Sequence, residues 1–460
     1  MLKNTRAFNN THITALTDLI NNAVNDVIIE YAAVGHAVPS LDTLEPGPFQ
    51  HLKDTPGRIT RAIQIIEAAC AQLCSSIAPP GSIMINKSLE HNEPACLLVV
   101  TEAKIADFLL DKPGGLPASE LASYTDLDAM KLTRILRFLA TNHCFKEVTP
   151  GVFANNRLSM KLLSSDPVSS LVCMFSDECL KSSAYLNETL TDHSEMDEGI
   201  AFRRATGYSF FEYHQTPQGL RKGNRFAKGM HGYNDVSGKS LMVKAYPWTS
   251  QLPDITICDV GGGHGDIILD LMKAHPHFKL VLQDQLQIID MARKFWEEEY
   301  PEAIQTRVQL VPFDFFKDTA VQGCDFYYLC SILHDWPDTE CVLILKNIRK
   351  AMKPGSRVII HDTVLREAVC IPNQSEPKIL LDGDTATQQS LQLDVAPEPL
   401  LPNYGVGCIR TYKVDITMLA LMNAKARTLS EYIELGDKSS LRFEKLYKAG
   451  ETDMMEFTSV

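Results

Sequence analysis

His334 and Asp362 stand 28 residues apart, each at the end of an apolar run that reads as a strand: FYYLCSIL leads into LHDW (333–336), and RVIIHD closes on Asp362. In an open parallel sheet, ligands bind outside the carboxyl ends of the strands, so an imidazole and a carboxylate on neighbouring strand ends meet at the ligand. A histidine whose far ring nitrogen is held by an acid is a general base for a substrate hydroxyl. A second constellation lies upstream. DVGGGHGD (259–266) closes one apolar run and precedes IILDLMKAHP, which places its glycines where strand turns into helix. Gly261, Gly263 and Gly265 read GxGxG, but Asp266 stands where a dinucleotide fingerprint has its third glycine, so nothing demands a pyrophosphate. Asp284 ends the next run, 23 residues after Gly261, placed to accept hydrogen bonds from both ribose hydroxyls. Asp314 ends the third, placed for an adenine amino group, with Phe315 against the ring. With Asp259 ahead of the first glycine, these acids suit a nucleoside carrying a cationic centre better than a phosphate.

Such residues need a scaffold that brings strand ends to one edge. Apolar runs at 254–260, 279–284, 308–314, 324–333 and 357–365 alternate with helical patterns at 267–276, 285–298 and 341–354. The alternation predicts an α/β fold, a parallel, doubly wound sheet. The texture changes after Pro253, so the unit is drawn as 251–460. A long irregular stretch, roughly 366–408, interrupts it. Loops of that length are uncommon inside a compact domain, so it reads as an insertion, a lid or a partner surface, with PNQSEPK and PEPLLPNYG as exposed turns.

The first half reads helical. Helices are expected over 11–34 and 55–77, and a 20-residue loop containing PPG (79–81) leads onward. Residues 97–112, 117–125 and 126–142 then predict three helices, and FKEVTPGVFANN (145–156) a hairpin about Pro150 and Gly151, the order of a winged helix. Winged helices often bind DNA, but the third helix offers only Lys131, Arg134 and Arg137 among several acids, so packing or dimerisation is the expected role. Helical pattern resumes over 167–250, aromatic-rich at 206–235; the division is thus 1–166, 167–250 and 251–460.

Composition narrows the partners. The formal charge of −13 repels phosphate backbones, which sets aside nucleic acid and anionic membranes. Apolar runs such as CLLVV (96–100) fall far short of the ~20 residues that span a bilayer. The N-terminus carries no signal-peptide pattern. The 12 cysteines form no CxxC and no paired zinc spacing, so reduced, mostly buried thiols in the cytoplasm are expected, and no metal site.

DVGGGHGD, the acidic end of KLVLQD, ILHDWPD and the closing DITMLALMNAKART (415–428) together resemble the caffeic-acid-type O-methyltransferases, particularly their fungal secondary-metabolite relatives. The resemblance extends over the winged-helix block and EYHQTPQG…RFAKGM, most of 95–460. It implies a Rossmann-like methyltransferase domain behind a helical dimerisation domain. It further implies an obligate homodimer whose N-terminal helices close the partner's pocket. S-adenosyl-methionine is then expected against Gly261, Gly263, Asp284, Asp314 and Phe315. His334, supported by Asp362, is expected to deprotonate an acceptor hydroxyl, with Asp335 beside the acceptor and Phe226 and Met230 walling the pocket. One departure matters. The family's usual Glu before Arg-Thr is Ala426 here, and the basic residues many fungal members carry before ILHDW are Cys330 and Ser331. Arg427 is expected to pair with a carboxylate for structure. Three readings stand: methyl transfer to a phenolic or enolic hydroxyl of a small aromatic or polyketide-like acceptor; a non-methylating dehydratase or pericyclase that keeps the cofactor; or a non-catalytic dimerising scaffold or DNA-binding regulator, against which the intact glycine turn, Asp284 and His334 argue.

Overall fold

The alternating runs of the second half fold as one seven-stranded sheet in the computed structural model, which describes residues 10–192, 199–252, 254–369 and 395–460. Three short strands come earlier in the chain: β1 (Leu116–Pro117), β2 (Lys146–Thr149) and β3 (Val152–Ala154). The large sheet contains β4 (Thr256–Val260), β5 (Lys279–Asp284), β6 (Val308–Pro312), β7 (Phe326–Cys330) and β8 (Arg357–Asp362). A separate parallel pair follows, β9 (Val364–Leu365) with β10 (Arg427–Thr428). The closing hairpin is β11 (Leu441–Ala449) and β12 (Thr452–Ser459). The large sheet runs β11–β12–β8–β7–β4–β5–β6, parallel from β8 to β6, with β12 antiparallel to β8. The strand order reverses at β4, which opens a crevice at its carboxyl end. The glycine-rich turn sits there.

Side chains alternate between the two faces of this sheet. Cys258, Val260, Tyr327, Leu329, Val358 and Ile360 pack with Ile344, Ile348, Tyr432 and Leu435. Ile257, Leu280, Leu282, Phe326, Tyr328 and Ile359 pack with Ile268, Leu271, Ile289 and Trp296. Both faces are covered, so the central strands read as continuous apolar runs. The antiparallel β11–β12 edge was not expected from the sequence. Its strand LRFEKLYKA alternates polar and apolar residues because one face is open, unlike the two-sided runs that marked the others.

The winged-helix order is present: Asp128 caps helix Ala129–Thr141 by accepting the Lys131 N–H at 2.9 Å, and β1–β3–β2 forms the wing. Arg137, one of the three candidate DNA contacts, is instead held bidentate by Glu147 of β2 at 2.8 and 3.1 Å. Two boundaries differ from expectation. The proline-bearing loop at 79–81 is a helix start, Pro80–Leu89, because proline suits the first turn. The single helix over 97–112 is two, Asn92–Glu102 and Ile105–Phe108, broken where Lys104 adopts φ 54°.

Helices Thr11–Ala33 and Gly57–Ile77 pack against each other. The described end of the insertion, from 395 onward, docks on them: Ala396, Leu400 and Tyr404 are buried with Leu16, Ala68 and Ala69. Gln72 Nε2 donates to the Pro399 carbonyl at 2.9 Å. This stretch lies against its own chain rather than standing free as an exposed turn. Residues 370–394, with PNQSEPK, lie outside the described residues, as does Pro253.

Candidate active site

Beyond β7 the chain turns at Ser331 (φ 55°) into the single helical turn Leu333–Asp335. Arg427 holds that turn. Its guanidinium is fully buried. Nε and Nη2 donate to Asp338 Oδ1 at 2.9 and 2.8 Å. Nη1 reaches the Leu333 carbonyl at 2.7 Å and Nη2 the Trp336 carbonyl at 2.8 Å. The expected structural carboxylate partner is therefore Asp338, and the arginine clamps both ends of LHDW. Asp362, the last residue of β8, completes the pair with His334. His334 Nδ1 lies 2.6 Å from Asp362 Oδ1, and Asp362 Oδ2 accepts the His334 backbone N–H at 3.3 Å. The Thr363 N–H also donates to Oδ1, at 2.8 Å. Asp362 is 1% exposed and the His334 side chain 17%, with His334 Nε2 lying 3.3 Å from Asp335 Oδ1.

Electrostatics follow from that geometry. Burial disfavours the charged imidazolium, but Asp362 and Asp335 outweigh it and raise His334 above its ordinary value. Burial likewise would raise Asp362, yet His334 and the Thr363 N–H hold it below the usual carboxylate range. Asp335 is pushed up to about 6 by burial, His334 pulling it down and Asp362 up. Ala426 is buried, and its N–H donates to Asp415 Oδ1 at 2.8 Å. Among the described residues Asp362 is the carboxylate on Nδ1, and no second one joins it.

The turn after β4 is shaped for close approach. A Cβ at Gly261 would lie 2.5 Å from Ile332 Cδ1, and one at Gly262 only 2.3 Å from Asp259 Oδ2. Sequence reading passed over Gly262, whose φ is ordinary; the constraint is the Asp259 side chain folded beneath it. Gly263 stands in open space at φ 61°, and its N–H donates to Asp284 Oδ2 at 2.9 Å. Gly265 (φ 87°) lies against Trp296, whose indole N–H donates to the His264 carbonyl at 2.8 Å. Trp296 carried no signal in the sequence beyond its apolar position in a helix.

Asp259 is 1% exposed and neither of its carboxylate oxygens has a hydrogen-bond partner. Burial, with the Asp284 carboxylate nearby, pushes it up to about 8. Asp284 accepts the N–H groups of Gly263 and Gln285, but burial still raises it. Two facing acids, one orphaned, beside a turn without side chains fit a ligand with an ammonium group and a ribose, as S-adenosyl-methionine has. Asp314 is placed differently from expectation. β6 ends at Pro312, and Asp314 lies in the following turn, where Oδ2 pairs with Lys317 at 2.7 Å and Oδ1 accepts the Phe316 N–H at 3.0 Å. Its carboxylate is paired with that exposed lysine at the surface. Phe315 lies edge-on to Trp336 at 5.8 Å and beside Gly261.

Phe226 and Met230 project from helix Leu220–Ser237 into an apolar cluster with Met174, Phe210, Leu421, Met418 and Met422. Phe226 stacks on His214 at 5.6 Å, and His214 in turn faces the buried Glu178. Helix Ile409–Met422, which supplies the two methionines, also packs on the Leu333–Asp335 turn, so this apolar wall adjoins His334. His231 of helix Leu220–Ser237 lies 3.2 Å from Asp266, at the start of helix Asp266–Ala274, tying the wall to the glycine turn. The site residues are thus gathered at one edge of the sheet.

The chain matches the O-methyltransferase domain family over residues 184–382 and the O-methyltransferase dimerisation domain over 88–165. It is 45% identical to 3-O-methyltransferase 2 of Phanerochaete chrysosporium over 452 residues, 97% of each chain. Among solved structures it resembles the mitomycin 7-O-methyltransferase at a TM-score of 0.65 and 24% identity, covering 83% of this chain and 98% of that one. It also resembles a structure described as a pericyclic reaction enzyme at a TM-score of 0.67 and 18% identity, covering 96% and 99%. At such identities both likenesses carry the fold alone. Near-complete coverage of a relative at nearly half identity, on top of a His–Asp pair and a glycine turn in one crevice, settles the family: this chain is a member of the O-methyltransferases.

Proposed function

We propose that this enzyme methylates a phenolic or enolic hydroxyl of a small aromatic or polyketide-like natural product, with His334 as the general base. The observation that supports it most directly is the 2.6 Å contact from His334 Nδ1 to the buried Asp362, which orients Nε2 toward the acceptor side. When bound, S-adenosyl-methionine supplies a methyl group activated by a sulfonium centre. Asp259, Gly261, Gly263 and Asp284 hold it, with Phe315 against the base and the Asp314 turn closing that end. Phe226 and Met230 exclude water from the acceptor, and Asp335 lies beside its hydroxyl. His334 takes the hydroxyl proton on Nε2, and Asp362 stabilises the imidazolium that results. Holding acceptor and donor in one orientation supplies much of the acceleration.

The dimerisation domain supports a homodimer. Exposed Ile28, Ile29 and Val34 on helix Thr11–Ala33 and its junction, and exposed Ile77, Met84 and Ile85 on the helices that follow, give such a pairing apolar side chains. Among the described residues no helix is long and apolar enough to cross a membrane. The free thiols throughout the described chain support a reducing, cytoplasmic setting.

The test incubates the protein with methyl-labelled S-adenosyl-methionine and a panel of phenols, anthraquinones and enolic polyketides. Label on an acceptor oxygen with matching release of S-adenosyl-homocysteine is expected. Turnover of an acceptor into a dehydrated or rearranged product, with the label left on the donor, would replace this reading with the non-methylating one.

A further inference from the structure

Lys239 follows the end of helix Leu220–Ser237, one residue after Gly238 turns at φ 85°. The turn is wedged into the β11–β12 hairpin: a Cβ at Gly238 would lie 3.0 Å from the Ala449 carbonyl oxygen and from Gly450 Cα. The Glu451 N–H donates to the Ser237 carbonyl at 3.1 Å. β12 pairs with β8 in the register Asp453 to Asp362, so this hairpin turn emerges at the carboxyl end of β8, the end that carries Asp362. Lys239 is thereby fixed at the edge of the sheet where His334 and Asp362 meet. It is 5% exposed, and its ammonium lies over the Tyr233 ring, 5.1 Å from the centroid. Among the described residues no carboxylate forms an ion pair with it, although Asp335 and Asp362 stand in the same neighbourhood, both engaged with His334. A lysine this little exposed, with no carboxylate paired to its ammonium, is costly to hold, and an anionic ligand oxygen would offset that cost.

We propose that Lys239 binds the reacting oxygen of the acceptor as its phenolate, so that the site selects acidic hydroxyls. The inference rests on the methyl-transfer reading and deepens it. In the proton step the acceptor O–H bond breaks, the proton goes to His334 Nε2 and the bonding pair stays on oxygen. Lys239 offsets that negative charge and neither gives nor takes a proton. The groups facing this point are Tyr233 from the preceding helix, Cys330 at the end of β7, His334 and Asp335 from the turn after β7, and His361 and Asp362 from β8. The lysine's charge acts on the last five of these, favouring neutral imidazoles and ionised carboxylates.

The test is a spectrophotometric pH titration of 4-nitrophenol, whose phenolate is coloured, with the full-length protein and no methyl donor. Bound to the wild type, the probe is expected to ionise about one unit or more below its value in buffer. Lys239→Arg keeps the shift and Lys239→Met removes it. Independently of any variant, the wild type should bind the probe about tenfold more tightly above its ionisation than below, while the methyl ether of the probe binds equally at both. A probe that ionises on the wild type as it does in buffer, or a shift unchanged in Lys239→Met, overturns the inference even if the wild type transfers methyl groups. A wild type that shifts the probe but methylates no acceptor overturns the methyl-transfer reading alone.

Discussion

In the proposed reaction the chemistry rests on His334, and each of its contacts makes a separate expectation. His334→Ala should lower kcat/KM for a phenolic acceptor by about 10²–10⁴-fold, with cofactor affinity by calorimetry unchanged. The pH dependence follows from sign. The imidazole must be neutral to accept a proton, and Asp362 with Asp335 raises its value above the ordinary one. Activity should therefore fall as pH drops through that raised value. Asp362→Asn removes a charge that favours imidazolium, so the acid limb should move to lower pH while the maximum falls by roughly 10- to 100-fold. An acid limb that stays in place would show that Asp362 does not act on the base. Asp259 gives an independent expectation. Pushed up to about 8, it carries a proton at neutral pH in the free protein. A cationic ligand beside it favours the carboxylate, so S-adenosyl-methionine binding should release a proton, seen as a dependence of calorimetric enthalpy on buffer ionisation heat.

At the scale of elements, the turns that deliver these residues are clamped from a distance. Arg427→Met would leave the Leu333 and Trp336 carbonyls without their donor, costing about 2–4 kcal/mol in urea unfolding and loosening the His334 turn. Gly262→Ala should weaken cofactor binding markedly, because its Cβ would displace the Asp259 and Leu282 side chains. Gly263→Ala meets open space and carries only the roughly 1–2 kcal/mol of a positive φ. Equal losses from the two changes would contradict this reading of the turn. These positions also show what the sequence carried. The strands β4, β5, β7 and β8, and the placement of Gly261, His334 and Asp362 at their ends, were legible because two-sided burial writes a plain apolar run. Gly262 was not, since its constraint is a side chain three residues back rather than its own φ. The β11–β12 edge alternates with polar residues, and the helix at Pro80 hid behind prolines that start helices as readily as they end loops. Lys239 looked like any surface lysine, because its burial depends on a hairpin more than 200 residues downstream.

Across the whole molecule, the helical half and the end of the insertion are one assembly. Gly407 packs so closely on helix Gly57–Ile77 that a Cβ there would lie 2.2 Å from the Gln64 carbonyl oxygen. The exposed Ile28 and Ile29 beside this assembly lead to a mass expectation: light scattering should give twice the chain mass for the wild type, and Ile28→Asp with Ile29→Asp should yield monomer. A dimer unaffected by both charges would place the interface elsewhere. In the proposed reaction this architecture serves one proton transfer, and one measurement tests that directly: the pH profile of methyl transfer to a phenol in wild type and His334→Ala. The wild type should be active at neutral pH, and the variant should be nearly silent there but recover as pH rises toward the range where the phenol ionises unaided. A His334→Ala enzyme as fast as the wild type at neutral pH would contradict the assignment of His334 as the base.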